Sequence, residues 1–122
     1  MRLNYVVIFL SFFILVACSN MDSNNLNSNN LTSIEGIIAD KSANNIQILV
    51  IPNIDKSDIT NKNINDLKSL AEDKDGIYFI VSSSDYNKYN VGDKVSVKYD
   101  PQGDVEESNP PIREAINVKS IN

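Results

Sequence analysis

The residue types that could support chemistry are few, and the clearest of them is Cys18, the one cysteine in a chain of 122 residues without histidine. It ends the tetrapeptide Leu15-Val16-Ala17-Cys18. This tetrapeptide has the form of a lipobox, with a small residue directly before the cysteine and leucine three positions before it. We therefore predict that the Cys18 thiol is diacylglycerated, with acyl chains such as palmitate, and that the chain is cut before it.

The residues ahead of Cys18 have the layout of a secretory signal. Arg2 supplies a positive start, and the run from Tyr5 to Val16 is apolar except for Ser11. The run is shorter than the about 20 apolar residues that span a bilayer, so it predicts a signal peptide over residues 1–17. An ordinary signal peptide and an uncleaved anchor are the alternatives, but either would leave an unexplained reactive thiol in an exported chain.

Lipidation at Cys18 predicts a protein anchored at the extracytoplasmic face of the cell membrane. Two acyl chains keep a protein on the membrane stably, whereas a protein with one chain binds reversibly. Residues 18–32 are the lipidated cysteine and a tether rich in Asn and Ser. Such a tract buries too little surface to offset its chain entropy, so it is expected to be disordered. The folded domain is predicted over residues 33–122.

A second group of candidate residues consists of carboxylates, Asp100, Asp104, Glu106 and Glu107. Paired carboxylates can act in acid–base catalysis or bind Ca²⁺. Their spacing matches no Ca²⁺ loop, and a polar hairpin turn is the simpler interpretation. Ser82-Ser83-Ser84 has only Lys88 as a basic neighbour for a serine nucleophile and is interpreted as a loop.

The usual metal ligands and nucleophiles are missing, since the sequence has no histidine and its cysteine is predicted to be acylated. No catalytic residue, metal or cofactor is therefore predicted, and the protein is not expected to be an enzyme. An envelope enzyme that uses carboxylates is kept as the alternative.

Tyrosines form the third group, and Tyr78, Tyr86 and Tyr89 are predicted as a weak binding site. OB-like barrels bind oligomers on one sheet face, where aromatic side chains supply contacts. The alternative is structural, with Tyr86 and Tyr89 clamping a loop. Tyr99 lies in line with Val95 and Val97 and is expected in the core.

Charge limits the partners that are expected. Removal of Arg2 with the signal changes the formal net charge from −5 to −6. Phosphate backbones and anionic lipid surfaces repel an acidic protein, so nucleic acid is not expected as a partner. Besides the membrane reached through Cys18, the expected partner is a cell-envelope glycan, peptide or protein.

Strand patterns dominate the domain that must position these residues. The predicted strands are Ile34–Asp40, Ile46–Ile51, Gly76–Ser82, Lys94–Asp100 and Arg113–Ile121. Gly36 is suited to a bulge or to the close approach of another backbone. Pro52 ends the second strand, and Ile116 and Val118 are expected to face inward in the last one.

One short helix is predicted between the second and third strands. Its apolar side is formed by Ile64, Leu67, Leu70 and Ala71, with Asn61 or Asn63 as the N-cap and Gly76 near its end. Several short strands without βαβ alternation predict an all-β fold with one short helix. We expect a small antiparallel OB-like barrel of about five strands.

Three segments also carry a resemblance to a known family: Ile77-Tyr78-Phe79, Val91-Gly92-Asp93-Lys94-Val95-Ser96-Val97-Lys98-Tyr99-Asp100, and Glu107-Ser108-Asn109-Pro110 before a final strand. In this order they resemble the YobA-like domain of unknown function of small Bacillus lipoproteins, over roughly residues 33–122. The chain departs from the family pattern at Pro111 and in having Tyr78 or Phe79 where tryptophan is frequent. The resemblance implies no catalytic residue.

Overall fold

One mixed β-sheet carries the fold. The computed structural model describes residues 30–121. Within this range the strands are β1 (Thr32–Ser42), β2 (Gln47–Ile51), β3 (Ile77–Ile80), β4 (Lys94–Tyr99), β5 (Val105–Glu106), β6 (Ile112–Glu114) and β7 (Asn117–Ser120). The helices are α1 (Ile64–Lys74) and α2 (Ser83–Lys88), and a 3₁₀ turn at Lys56–Ile59 precedes α1.

The strand order is β5-β6-β3-β2-β1-β4-β7. β3 and β6 are parallel, and the other pairs are antiparallel. The prediction of a mainly β fold with a short helix is confirmed. The predicted OB-like barrel of about five strands is not confirmed. Over residues 30–121 the sheet ends at the edge strands β5 and β7, which do not pair to close it. The structure has more strands than predicted for two reasons. The last predicted strand divides into β6 and β7 at Ala115 and Ile116, and residues 105–106 form the additional short strand β5.

Alternate side chains along the strands give the sheet two buried faces. On the first, which we call the core face, residues of five strands pack together: Ile38, Ile48, Val50, Phe79, Val95, Val97 and Val118. Phe79 and Tyr99 meet there with ring centroids 5.3 Å apart. On the second, the helix face, Ala39, Leu49, Ile51 and Tyr78 pack under Leu67 and Ala71 of α1. β2 is buried along its whole length because both faces are covered around it.

Helix α1 begins and ends on local signals. The Asn63 side chain accepts a hydrogen bond from the Asp66 backbone N–H at 2.8 Å, which confirms Asn63 as the N-cap. Asp75 closes the helix in the left-handed conformation, with φ of 63°. Leu67 and Ala71 are buried against the sheet and Leu70 is partly buried, so these three residues of the predicted apolar side pack, whereas Ile64 is 42 % exposed.

Gly36 is required by a close approach of two backbones. A Cβ atom at this position would lie 2.5 Å from the Ile51 carbonyl oxygen. The close approach predicted from the sequence is therefore confirmed, whereas the bulge of β1 lies between Ile38 and Asp40.

Two local predictions were wrong. Ile116 is 55 % exposed, whereas Val118 is buried as expected, because the chain crosses from β3 to β4 at Ala115 and Ile116 and the inward alternation is broken there. Ser82-Ser83-Ser84, expected as a loop, instead begin α2: Ser82 is the N-cap and accepts from the Asp85 N–H at 3.1 Å, and Ser83 and Ser84 are the first helical residues.

The predictions that concern the start of the chain lie outside the described residues. They are the signal peptide over residues 1–17, lipidation of Cys18, and the tether up to residue 29. Among residues 30–121, neither helix combines the length and the apolar character that a membrane span needs.

Candidate functional site

The three tyrosines predicted as a binding site do not share a surface. Tyr78 lies on the helix face, and Tyr89 and Tyr86 belong to the cluster on the core face. Neighbouring residues of a strand point to opposite faces of the sheet, so the side chain of Tyr78 lies on the face opposite to the core residue Phe79. The structure therefore brings Tyr86 and Tyr89 together and leaves Tyr78 apart from them.

Tyr86 and Tyr89 fasten α2 to the end of β1. The Lys41 Nζ lies 4.2 Å from the centroid of the Tyr86 ring and donates to the Tyr89 carbonyl at 2.8 Å. Tyr89 is 4 % exposed, and its hydroxyl donates to the Val118 carbonyl at 3.2 Å. These contacts are those of a clamp, which was the structural alternative for both residues. Their binding role stays a prediction.

Tyr78 is buried beside a carboxylate. Its hydroxyl donates to Asp40 Oδ2 at 2.8 Å. Burial raises the pKa of Tyr78 well above the ordinary value, and the hydrogen bond to Asp40 and the charge of that residue raise the pKa further. The phenol therefore remains a neutral donor at physiological pH and holds the Asp40 carboxylate in place.

A concavity of about 420 Å³ opens next to the Tyr78–Asp40 pair, and we call it the polar cavity. Its lining includes Asp40, Asn45, Gln47, Lys68, Tyr78 and Asn109. Gln47 is 7 % exposed, and its side-chain amide makes no hydrogen bond to another residue within 30–121. Every fully buried side-chain nitrogen or oxygen in that range has a partner. The small exposed part of Gln47 therefore includes its amide, which faces the cavity.

A second concavity of about 530 Å³, the acidic groove, adjoins the polar cavity. Ile80, Ile112 and Ile116 give it an apolar floor, and its carboxylates are Asp100, Asp104, Glu106 and Glu114. Three of the four carboxylates singled out in the sequence thus meet at one groove, whereas Glu107 does not line it. The two concavities share Glu106 and Ile112.

Arg113 is the one cation that lines the acidic groove, and its guanidinium is held by the loop after β4. Nη1 lies 3.3 Å from the Pro101 carbonyl oxygen and 3.4 Å from that of Asp100. The guanidinium carbon lies 5.2 Å from the centroid of the Tyr99 ring. Within residues 30–121, no three carboxylates are placed to hold a metal ion together.

Strand register explains why these side chains share the helix face. Gln47 is paired with Ile80, Leu49 with Tyr78 and with Asp40, and Tyr78 with Ile112. Paired residues project to the same face, and α1 covers this face over Ala39, Leu49, Ile51 and part of Tyr78. The remaining part of the helix face is open, and the polar cavity lies there. The acidic groove takes Ile80, Ile112 and Glu114 from this face and Arg113, which is paired with the core residue Phe79, from the other.

Sequence reasoning missed Asp40 and Gln47. A signal for Gln47 was present, since it is the one polar residue in the apolar run from Ile46 to Ile51. The side on which it faces a cavity follows from pairing with β1 and β3, which a local pattern does not specify.

Comparison with known proteins shows the family of the domain. The family model described as a protein of unknown function, DUF3221, matches residues 35–122. The chain belongs to the DUF3221 family. All residues named for the polar cavity and the acidic groove lie inside the matched range. No curated protein matches the DUF3221 chain.

Solved structures of a YobA protein from Bacillus subtilis share the fold of this DUF3221 domain. A crystal structure of the protein from strain 168 superimposes with a TM-score of 0.59 at 19 % identity, covering 82 % of this chain and 99 % of that one. An NMR solution structure of YobA residues 21–120 gives a TM-score of 0.58 at 19 % identity, covering 84 % and 92 %. The resemblance to the YobA-like domain is confirmed.

Proposed function

We propose that this DUF3221 protein is a lipid-anchored binding module of the cell envelope, and that its ligand binds on the open part of the helix face. The observation that carries the proposal is the Gln47 amide. The Gln47 residue is 93 % buried, yet its amide reaches the cavity and has no partner within residues 30–121, so the amide is available to a ligand.

The chain path supports an OB-like arrangement as part of this proposal. The Ala115 N–H donates to the Ile80 carbonyl at 3.0 Å, and the Ile116 N–H donates to the Lys98 carbonyl at 2.8 Å. The link between β6 and β7 therefore bonds to both β3 and β4, which are separated in the sheet by β2 and β1. If the fold is compared with a five-stranded OB fold, β6 and β7 together correspond to the last strand.

That arrangement predicts where a ligand binds. OB folds bind oligomers on the face of the second and third strands, between the loop after the first strand and the loop before the last one. In this chain the corresponding segments are residues 43–46 and residues 100–111, and the second contains the short strand β5. Asn45 from the first loop and Asn109 from the second both line the polar cavity, next to Gln47 of β2 and Tyr78 of β3. The cavity volume of about 420 Å³ falls within the range of about 300–1,000 Å³ that is usual for ligand sites.

The location rests on the lipobox at Cys18. Acylation there would hold the domain at the extracytoplasmic face of the membrane, with residues 18–32 as the tether. An envelope binding module needs no catalytic group, and the chain offers neither histidine nor a cysteine that stays free after acylation. The alternative, an envelope enzyme that uses carboxylates, would place its chemistry at Asp104 and Glu106 in the acidic groove.

Ligand screening by NMR tests the proposed site. The mature chain, labelled with ¹⁵N, is held in a zwitterionic detergent without a sugar headgroup. Neutral oligosaccharides, basic peptides and acidic peptides are titrated into it one at a time. We expect at least one of them to shift the amide signals of β2, β3 and residues 43–46 and 105–112. A panel that shifts none of these signals, or shifts only those near α2, would contradict the proposal.

A hydrolysis assay run on the same samples separates the two functions. Binding without turnover of any panel member agrees with the binding module. Turnover that is lost in Glu106→Gln would favour the carboxylate enzyme instead.

A further inference from the structure

We infer that the polar cavity holds an uncharged sugar residue of an envelope glycan. This inference rests on the proposed function and names the chemical class of its ligand. Three observations support it: the hydrogen-bonding groups that line the cavity, the net charge of the lining, and the backbone hydrogen bonds that already pair the strands around it.

The hydrogen-bonding groups match neighbouring hydroxyls. A sugar hydroxyl donates one hydrogen bond and accepts others, as an amide side chain does with its two ends. The Gln47 amide faces the cavity without a protein partner within residues 30–121. Asp40 uses Oδ2 to accept from Tyr78 and keeps a second carboxylate oxygen that can accept from a hydroxyl.

The amides of two loops complete the set. Asn45 and Asn109 are exposed and line the cavity from opposite loops, so each can turn toward a ligand at small cost. Ile64 at the start of α1 is 42 % exposed on the same lining. It offers an apolar wall to the C–H face of a pyranose ring.

The charge of the lining disfavours anions. Asp40 and Glu106 are acidic and Lys68 is the one basic residue of the cavity, and the acidic groove adds further carboxylates beside it. An anionic ligand would leave bulk water for a site of net negative charge. Phosphorylated or uronic acid units should therefore bind worse than neutral ones.

The backbone around the cavity disfavours a peptide. β2 is paired on one side with β1 and on the other with β3, and β3 is paired with β2 and β6. A peptide therefore cannot add a strand along β2 or β3, which is the mode that gives main-chain affinity. The free edge beside the cavity belongs to β5, which is two residues long. A peptide would have to be recognised mainly through side chains.

The continuity of the two concavities predicts a chain of sugars. Because Glu106 and Ile112 line both, a unit attached to the sugar in the polar cavity would lie over Ile80 in the acidic groove. Affinity should thus increase with the number of sugar units.

Calorimetry on the mature chain, in the same sugar-free detergent, tests the inference. The probes are N-acetylglucosamine, its tetramer, and a tetramer of galacturonic acid as the anionic counterpart. We expect the neutral tetramer to bind at least about tenfold more tightly than its monomer and than the anionic tetramer, which corresponds to about 1.4 kcal/mol.

Two neighbouring asparagines give a matched pair of variants. Asn45→Ala should weaken binding of the neutral tetramer severalfold, whereas Asn44→Ala should not, since Asn44 does not line the cavity. Both residues are exposed in the same turn, so the melting temperature should be unchanged in both.

The outcomes separate this inference from the proposed function. A basic peptide that binds at the polar cavity while neutral sugars do not would overturn the sugar inference and leave the binding module intact. Equal affinity for the anionic and neutral tetramers, or equal losses in the two asparagine variants, would also overturn it. Failure of every probe to bind at the helix face would overturn both.

Discussion

Replacing Gly36 by alanine should destabilise the domain strongly, because there is no room for a methyl group. The added Cβ would lie 2.5 Å from the carbonyl oxygen of Ile51 and 2.7 Å from its carbonyl carbon. Both are backbone atoms, so relief requires β1 and β2 to separate locally. These strands lie in the middle of the sheet, and their side chains Ile38 and Ile51 are 0 % exposed.

The size of the effect follows from the cost of overpacking. Forcing an extra group into a packed interior costs about 1–3 kcal/mol and sometimes more, and a clash with backbone belongs at the upper end of that range. In a domain of this size each kcal/mol lowers the melting temperature by about 4–8 °C. We therefore expect Gly36→Ala to lower it by about 10 °C or more.

Thermal unfolding followed by circular dichroism measures this change, with Gly103→Ala as the control. At Gly103 the nearest atom to an added Cβ is the Asp100 carbonyl oxygen at 3.3 Å, in an exposed turn. That variant should stay within about 0.5 kcal/mol of the wild type, as surface substitutions usually do. A Gly36→Ala protein as stable as the Gly103→Ala protein would refute the pairing of β1 with β2.

Three further predictions concern the core, a tyrosine and the anchor. Val97→Asp should unfold the domain because Val97 is 0 % exposed, while Lys98→Asp at the exposed neighbour should be tolerated; equal melting temperatures would show that the face of β4 is misassigned. Folding raises the pKa of Tyr78 above its ordinary value of 10.0, so the unfolded chain loses this proton first and stability falls as pH rises through about 10. Tyr78→Phe should make that alkaline decline shallower, and an unchanged slope in urea titrations between pH 8 and 11 would count against the buried hydrogen bond. Cys18→Ala should abolish labelling by a fatty acid and either release the protein from the membrane or leave it as an uncleaved precursor, and a variant that is still labelled would exclude the lipobox.

Local patterns were sufficient where the cause is local. The alternation of Lys94–Tyr99 places Val95 and Val97 in the core, and Asn63 caps α1 as its position before the apolar pattern indicates. Gly36 could be singled out because a residue without Cβ inside a strand marks a close approach.

Features that depend on distant parts of the chain could not be predicted. Ile116 faces outward because the chain changes partner from β3 to β4 at that point, and nothing in the flanking sequence marks the change. Tyr78 and Tyr89 lie on opposite faces because of strand register and the position of α2, whose six residues carry a weak helix pattern.

The candidate site could be predicted in part, because some of its residues are neighbours in the sequence and others are brought together only by strand pairing. Asp100, Asp104 and Glu106 are close in sequence and meet at one groove, as adjacent residues of a loop can. Glu114 joins them only through the pairing of β6 with β3. Gln47 shows as a polar break in an apolar run, but its cavity is built by residues more than 20 positions away, such as Lys68 and Tyr78.

Gln47→Leu tests the central claim, that the polar cavity is a binding site, most directly. Leucine has a similar size and removes the amide that faces the cavity and lacks a protein partner within residues 30–121, so the melting temperature should stay close to that of the wild type. The amide shifts that a ligand produces in β2 and β3 should disappear at the concentration that saturates the wild type. Gln102→Leu, the same change at an exposed turn residue that lines neither concavity, should leave both measurements unchanged. A Gln47→Leu protein that binds as the wild type does, or that melts well below it, would contradict the account, since Gln47 would then serve stability and not binding.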